Sequence, residues 1–508
     1  FQVEEGSQAT EYEPPNYVKV LLTERSIEKK HLAFNIEGGK SVDVNIIDFG
    51  ADPSNADNKN AIQNAIDHAA TLTTTNGKIR VWIPEGSFAV NGTIYLKSNV
   101  ILDGVGELKA TSNANFDTVN FGNELVKPNE TLVFVAVVGT PTNRLKNVEI
   151  KGVTFDCNGA NQPIHGSYVG IAVVHADDTL IENAKSLNVV YEMSPDNALE
   201  DRGLCLFIAL ADRTIVNGGV YWGAGYDSIR VAGFAYDTKL TNVVGGKAKR
   251  GALQVTPLSK GTFLDGVLLD NRDGGESTSH AFFAHNLQDV YANNLSLKAK
   301  DGYCITIFGD GNTSRGTNSK NADFKNVFME NETERFIQLT STHGGIGSEN
   351  IKIKGTTSTL KKQTPVTGIV PFYITRCEGI ELDLLVPYIS ANPLSIVNFK
   401  DVNVKLNLKT DESLYSIIGI SGIDGAKDIK IHDTVIDAPN AQRGINSVGT
   451  SDNVKVVDTK MNTLDSVNFP TTDANITIRD CDFRDVANAD KLRLLATTSK
   501  TVENVLGV

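Results

Sequence analysis

Cysteine is scarce in this chain: Cys157, Cys205, Cys304, Cys377 and Cys481 are the only five in 508 residues. The number is odd, the spacing is wide, and no Cys-x-x-Cys occurs. That excludes a disulfide framework as the source of stability and leaves no zinc-type ligand spacing. Most of the five sit in strand-like runs such as GLCLFIAL and GYCITIF, so buried free thiols are expected. Basic residues are also short. Against 61 Asp and Glu there are 48 Lys and Arg, a net charge of −13. A phosphate backbone would find no counter-charge here, so nucleic acid is not expected as a partner. No run of about 18 apolar residues exists, so no membrane-spanning helix is expected either. The Asp-rich ADPSNADN lacks the spacing and the final Glu of a calcium loop. No cofactor and no metal set are implied, and a divalent cation is left open.

What the chain does have is a beat. Five segments share a shape: Asn217 sits in TIVNGGV, Asn242 in KLTNVVG, Gly266 in FLDGVLL, Asn294 in YANNLSL and Asn326 in DFKNVFM, at intervals of 25, 24, 28 and 32 residues. A unit of this length cannot bury its apolar face alone and must stack on its neighbours. The units are rich in Val, Ile, Leu, Phe and Thr, alternating or in short runs, which reads as strand. The 44 glycines suit many short turns. The Asn positions 217, 242, 294 and 326 read as a ladder of turns between coils. The fold class is therefore all-β: a right-handed parallel β-helix, a solenoid with a short N-terminal capping helix.

Residues 1–40 are polar, acidic and Pro-containing at the start and read as a linker or neck. The chain begins at Phe1 rather than Met, so an upstream segment is expected. Residues 41–140 open the β-helix. There NADNKN supplies capping residues, and Ala61, Ile62, Ala65, Ile66 and Ala69 recur on one helix face. That helix is expected to plug the open N-terminal coil. Coils are expected over 141–490, with strand starts at Val148, Leu180, Ile215, Leu240, Leu264, Val290, Phe324, Ile351, Ile380, Val402, Ile429, Val454 and Ile476. Residues 491–508 read as a C-terminal cap.

The order DFGADPSN, AIQNAID, VWIPEGSFAV, NVILDGVGE, from Val44 to Glu107, resembles the opening of the pectate-lyase-like superfamily as it occurs in bacteriophage tailspikes and appendage proteins. The N-terminal FQVEEGSQATEYEPPNY resembles segments of phage tail proteins. The resemblance implies a β-helix and carbohydrate as the ligand class, without naming an activity. The pair YDSIRV and KRGALQV resembles coils of alginate-epimerase-like proteins, but Gly251 stands where that pattern has His. The paired Asp of polygalacturonases and the Arg-x-Pro-x-x-Arg of pectate lyases are missing.

Candidate chemistry follows from aligning second strands of successive coils. VGIAVV, RGLCLF, YDSIRV, RGALQV, SHAFFA, GYCITI and ERFIQL fall into one apolar register. Strict alternation points Ile229, Leu253, Phe282, Ile305 and Ile337 inward. It points Ser228, Ala252, Ala281, Cys304 and Phe336 outward, along with Arg230, Gln254, Phe283, Thr306 and Gln338. Coils stack about 4.8 Å apart, so these letters form a stripe the width of a few sugar rings. In a lyase or epimerase, Arg250 and Arg230 could neutralise a uronate while His280 or Asp227 takes the C5 proton. In a hydrolase, two carboxylates flank the bond; Asp227, Asp270, Asp273 and Glu276 are the candidates. The expected catalytic set is thus Asp227, Arg250, His280, Asp273 and Glu276. The expected substrate-binding set is Arg230, Gln254, His175, Asp201, Arg202, Trp222, Tyr226, His285 and Arg335. Each has a plainer reading: Asp227 as a turn cap, Arg230 and Gln254 as solvated strand residues, Trp222 as core.

Together these point to a phage tailspike-type protein that binds and depolymerises a host surface polysaccharide. The expected assembly is a homotrimer on the virion tail, joined to other tail proteins through its N-terminal segment. The rivals are a spike that binds without cutting, and a secreted bacterial enzyme.

Overall fold

The computed structural model describes residues 43–72, 77–123, 130–163, 167–189, 203–274, 279–310, 318–341, 345–358, 370–469, 474–484, 487, 492–494 and 500–506. The expected parallel β-helix is what the chain forms. Its strands stack into three parallel ladders. The first runs through Asp43–Asn45, Ile79–Ile83, Val100–Gly104, Glu149–Lys151, Leu180–Glu182, Ile215–Asn217 and Lys239–Thr241. The second runs through Ser87–Val90, Glu107–Ala110, Thr154–Asp156, Lys185–Leu187, Val220–Ala224, Val244–Ala248 and Leu268–Asn271. The third holds Glu130–Val138, Tyr168–Val174, Leu204–Ala209, Asp227–Val231, Gly251–Val255, His280–His285, Ile305–Gly309 and Ile337–Ser341. From Gln288–Ala299 onward single long strands serve two ladders, and Phe372–Val386 reaches the third as well.

The inward columns explain the register. Ile351, Ile380, Val402, Ile429, Val454 and Ile476 pair coil to coil. Each aliphatic side chain buried this way contributes about 1.5–3 kcal/mol, and a one-residue slip would turn a whole column out to water. Among the described residues the ladders run from Val44, which stacks on Val81, to Val502, on which Ile478 stacks. All five cysteines are buried and free.

Helix α1, Lys59–Thr71, buries Ile62, Ala65, Ile66 and Ala69 in the same core as Val44 and Val81. Asp57 Oδ1 accepts the Lys59 N–H at 2.8 Å and the Asn91 N–H at 3.0 Å, tying the helix start to the coil beneath. The turn ladder sits at Gly218, Asn242, Gly266, Asn294 and Asn326, all with φ between 51° and 70°. Asn217 is one residue early; glycine takes the left-handed position in that coil, and Asn217 instead accepts a hydrogen bond from Thr241 Oγ1 at 2.9 Å.

One antiparallel pair occurs among the described strands. Thr118–Asn120 lies against Glu130–Val138. With Phe121 it caps the outer side of the third ladder, where Phe121 stacks on Phe207 at 5.4 Å and Val133, Ala172 and Leu204 form a second apolar cluster. Toward the C-terminus, from Tyr226 on, the outer side of that ladder carries polar and aromatic groups instead.

Candidate active site

The third ladder does not alternate strictly. Asp227 pairs with Gly251 and Ile229 with Leu253, but Ala252, Ala281, Cys304 and Phe336 lie in the core together with Leu253, Phe282, Ile305 and Ile337. Ser228 is buried too and donates to the Gly246 carbonyl at 2.7 Å. Two consecutive residues thus turn inward in each of these coils, a bulge-like step. The expected outward position of Ser228, Ala252, Ala281, Cys304 and Phe336 is corrected by it. Its consequence is that residues i and i+3 share the outer face: Asp227 with Arg230, and His280 with Phe283.

Asp227 and Arg230 use that step to form a buried ion pair. Their side chains are 0% and 2% exposed, and Asp227 Oδ2 accepts from Arg230 Nε at 2.9 Å and Nη2 at 2.6 Å. Arg230 also lies under the Tyr226 ring, 4.9 Å from its centroid. A base for C5 and a free cation for a uronate were expected here. Both are corrected, since the two charges are paired with each other and shut away from solvent. Gln254, next in register after Arg230, is likewise only 3% exposed, and its Oε1 has no hydrogen bond among the described residues.

Above this layer lies an accessible one. Tyr226, Arg250 and His280 are stacked by backbone hydrogen bonds: Arg250 N–H to Tyr226 O, 2.9 Å, and His280 N–H to Arg250 O, 2.7 Å. The Arg250 guanidinium lies 4.7 Å from the Tyr226 ring centre and 4.3 Å from that of Phe283, and donates to the Tyr226 hydroxyl. The His280 ring stacks on Phe283 at 5.4 Å. Its Nδ1 accepts the Tyr303 N–H at 3.0 Å and lies 2.9 Å from the Thr306 hydroxyl. With Nδ1 accepting, the proton of the neutral ring sits on Nε2. Burial first, then the charges of Arg250 and Arg335, pull the His280 pKa down to about 3. Neutral His280 is thus a hydrogen-bond donor at ordinary pH rather than the base expected. Arg335 is held by the Asp301 carbonyl at 2.6 Å, and Tyr303 donates to Val370 O at 3.1 Å.

Other expected residues fall elsewhere. His175 is buried under the antiparallel flap, with Nε2 2.9 Å from Phe121 O, and burial lowers its pKa. It fastens that flap and does not face a ligand, which corrects its assignment to substrate binding. Trp222 lies on the second ladder between Leu187 and Gly246, so it and Tyr226 form no single platform. Asp273 is exposed in a turn beyond that ladder, near a network in which Arg272 bonds Asp270 Oδ1 at 2.9 Å and Glu330 at 2.8 Å. Asp201, Arg202 and Glu276 lie outside the described residues.

Farther along strand His280–His285, His285 is half-buried, with Nε2 2.8 Å from Asp310 Oδ1. Reading the sequence missed Asp310, Tyr303 and Phe308. Register alone could have found Phe308, which pairs with His285 and packs edge-on to Phe283 at 5.6 Å. Among the described residues no group of three or more His, Cys, Asp or Glu side chains could hold a metal ion.

The outer face thus offers two guanidiniums, aromatic rings and two imidazoles in a strip along stacked coils, an arrangement fit to lie along an extended, acidic, ring-built polymer. The fold is that of a parallel β-helix. Residues 43–219 match the family model described as rhamnogalacturonase A/epimerase, pectate lyase-like. Over that stretch the chain is similar to the pectate-lyase-like family, and the ladder architecture is shared with solved parallel β-helix proteins. The tailspike protein of E. coli bacteriophage HK620 superposes with a TM-score of 0.50 at 13% identity, covering 91% of this chain and 78% of that one. The Streptococcus pneumoniae surface adhesin PfbA gives 0.36 at 13%, covering 92% of each chain. The Yersinia enterocolitica family 28 exopolygalacturonase gives 0.35 at 12%, covering 92% of this chain and 78% of that one. No curated protein matches the sequence. At these identities the likeness is one of fold.

Proposed function

We propose that this protein binds and depolymerises an acidic host cell-surface polysaccharide, as a tailspike-type protein of a bacteriophage. The observation that carries the reading is the strip on the third ladder: Arg250 held over Phe283 and Tyr226, with His280, Tyr303 and Arg335 in the following coils. Cations laid on aromatic rings bind both the carboxylate and the apolar face of a uronate. The family match of the opening coils supports carbohydrate as the ligand class. In this reading the chain works as a homotrimer on the virion tail, joined to other tail proteins through residues 1–40.

A second reading, a spike that binds without cutting, gains from one observation: the Asp227 carboxylate is locked in its pair with Arg230. One experiment separates the two. The protein is incubated with a uronate-bearing capsule or wall polymer and the products are sized. Shorter chains support depolymerisation. Retention of the polymer at full length supports the spike, and failure to bind any acidic glycan sinks both. Light scattering at three times the 54.8 kDa chain mass would support the trimer, and a monomer would remove it.

A further inference from the structure

The inference that follows rests on the depolymerase reading and names the chemistry of its site. We infer that His285, not His280, is the proton acceptor of this face, and that the reaction is elimination on a uronate polymer.

The two imidazoles on strand His280–His285 are held in opposite ways. His280 has its Nδ1 lone pair occupied by the Tyr303 N–H and faced by the Thr306 hydroxyl. His285 has its Nε2 on Asp310, and Asp310 is an acceptor there. Its other oxygen, Oδ2, takes the Asn286 Nδ2–H at 2.7 Å, while its backbone N–H returns to Asn286 Oδ1 at 2.9 Å. A carboxylate that accepts from both sides fixes the proton on His285 Nε2 and leaves the Nδ1 lone pair for a substrate. Nδ1 has no hydrogen bond among the described residues, and the ring is 34% exposed while Asp310 is 9% exposed. Contact with an acid is not by itself the argument. His432 also touches one, Asp433, at 2.9 Å, but that carboxylate is 54% exposed and adjacent in the chain. Asp310 is buried, comes from the following coil, and is clamped.

Placement supplies the rest. Phe283 and His285 point the same way two residues apart, so roughly 7 Å separates them along the strand. The Arg250 guanidinium sits 4.3 Å from the centre of Phe283. One sugar ring lying along Phe308, the half-buried ring that pairs in register with His285, would meet Arg250 with its carboxylate and present its C5–H toward His285. In the step, His285 Nδ1 takes the C5 proton, the C5–H electrons become the C4–C5 double bond, and the C4–O bond breaks. The leaving oxygen takes a proton from water, and the imidazolium later returns its own to solvent. Arg250 stabilises the charge that builds on the carboxylate.

The test uses the full chain with polygalacturonate, alginate and hyaluronan, following absorbance at 235 nm and, in parallel, polymer binding by affinity electrophoresis. Wild type is expected to give a 235 nm product on at least one polymer. His285→Gln, folded by circular dichroism, is expected to lose at least about a hundredfold in kcat with little change in KM. Asp310→Asn, a positioning change, should lower kcat in the same sense, and His280→Gln should chiefly raise KM. His432→Ala should match wild type. A His285→Gln enzyme with undiminished kcat overturns the inference, as does loss of kcat in His280→Gln alone. Wild type that yields no 235 nm product on any of the three also overturns it. In that last case shortened polymer without absorbance leaves the proposed function standing as hydrolysis, whereas binding without shortening moves it to the spike.

Discussion

Removing the Asp227 carboxylate is the sharpest perturbation of the layer beneath the site. In Asp227→Ala, Arg230 keeps its place at 2% exposure and loses the Asp227 carboxylate that accepts from its Nε and Nη2. A guanidinium cannot shed its proton to escape, so the buried charge remains, and breaking such a pair costs about 3–5 kcal/mol. At roughly 1.4 kcal/mol per factor of ten, local opening should rise by about two to three and a half powers of ten. Arg230→Met should cost less, because a stranded carboxylate can take a proton. That variant should also recover part of its loss as pH falls, and Asp227→Ala should not. The double variant should cost less than the two singles added. A solenoid opens coil by coil, so a single melting temperature would blur the effect. Hydrogen exchange across 204–209, 227–231 and 251–255 reads it where it occurs. Exchange in Asp227→Ala within threefold of wild type, or strict additivity in the cycle, would refute the buried pair. The same reasoning says that an inactive Asp227→Ala variant is no sign of a catalytic Asp227.

Three further outcomes follow. The His280 pKa of about 3 lies below the roughly 6.5 of a free imidazole. The unfolded chain therefore binds a proton that the folded one refuses, so this contribution is complete above about pH 6.5. It is lost as pH falls toward 3, at up to about 1.4 kcal/mol per pH unit. Urea midpoints at pH 7, 5 and 4 should fall more steeply for wild type than for His280→Gln; parallel slopes would remove the claim. At Gly246 a Cβ would stand 2.0 Å from the Asp270 carbonyl oxygen and 2.3 Å from the Trp222 ring. Gly246→Ala should cost about 1–3 kcal/mol and shift Trp222 fluorescence, whereas an unchanged spectrum would mean that ring does not lean on the glycine. Ile62→Ala should cost about 2–5 kcal/mol and speed exchange first in Ile79–Ile83 and Val100–Gly104. Uniform loss along the solenoid would contradict the helix's role as a local plug.

How much of this could be read from the letters depends on which force wrote them. Apolar burial wrote the columns Ile229, Leu253, Phe282, Ile305 and Ile337, and those were legible because each coil repeats them. The turn ladder was legible at Asn242, Asn294 and Asn326, and slipped at Asn217 because glycine serves a left-handed turn as well as asparagine does. The faces of single residues were not legible, because alternation fails at one repeated step. In a regular strand residues i and i+3 lie on opposite sides, and Asp227 could not have met Arg230. Turning Ser228 and Ile229 inward together brings the pair to one side and buries it. A faint signal existed: most of the inward doublets begin with a small residue, Ser228, Ala252, Ala281 or Cys304, which fits at a bend where a larger side chain would clash. The same step recurs one ladder rung at a time. Where its outward positions hold Asp227 and Arg230 the charges cancel. Where they hold His280 and Phe283, followed two residues later by His285, no partner charge lies within the strand, and the groups remain for a ligand. One irregularity of backbone thus makes both the sealed layer and the accessible strip above it.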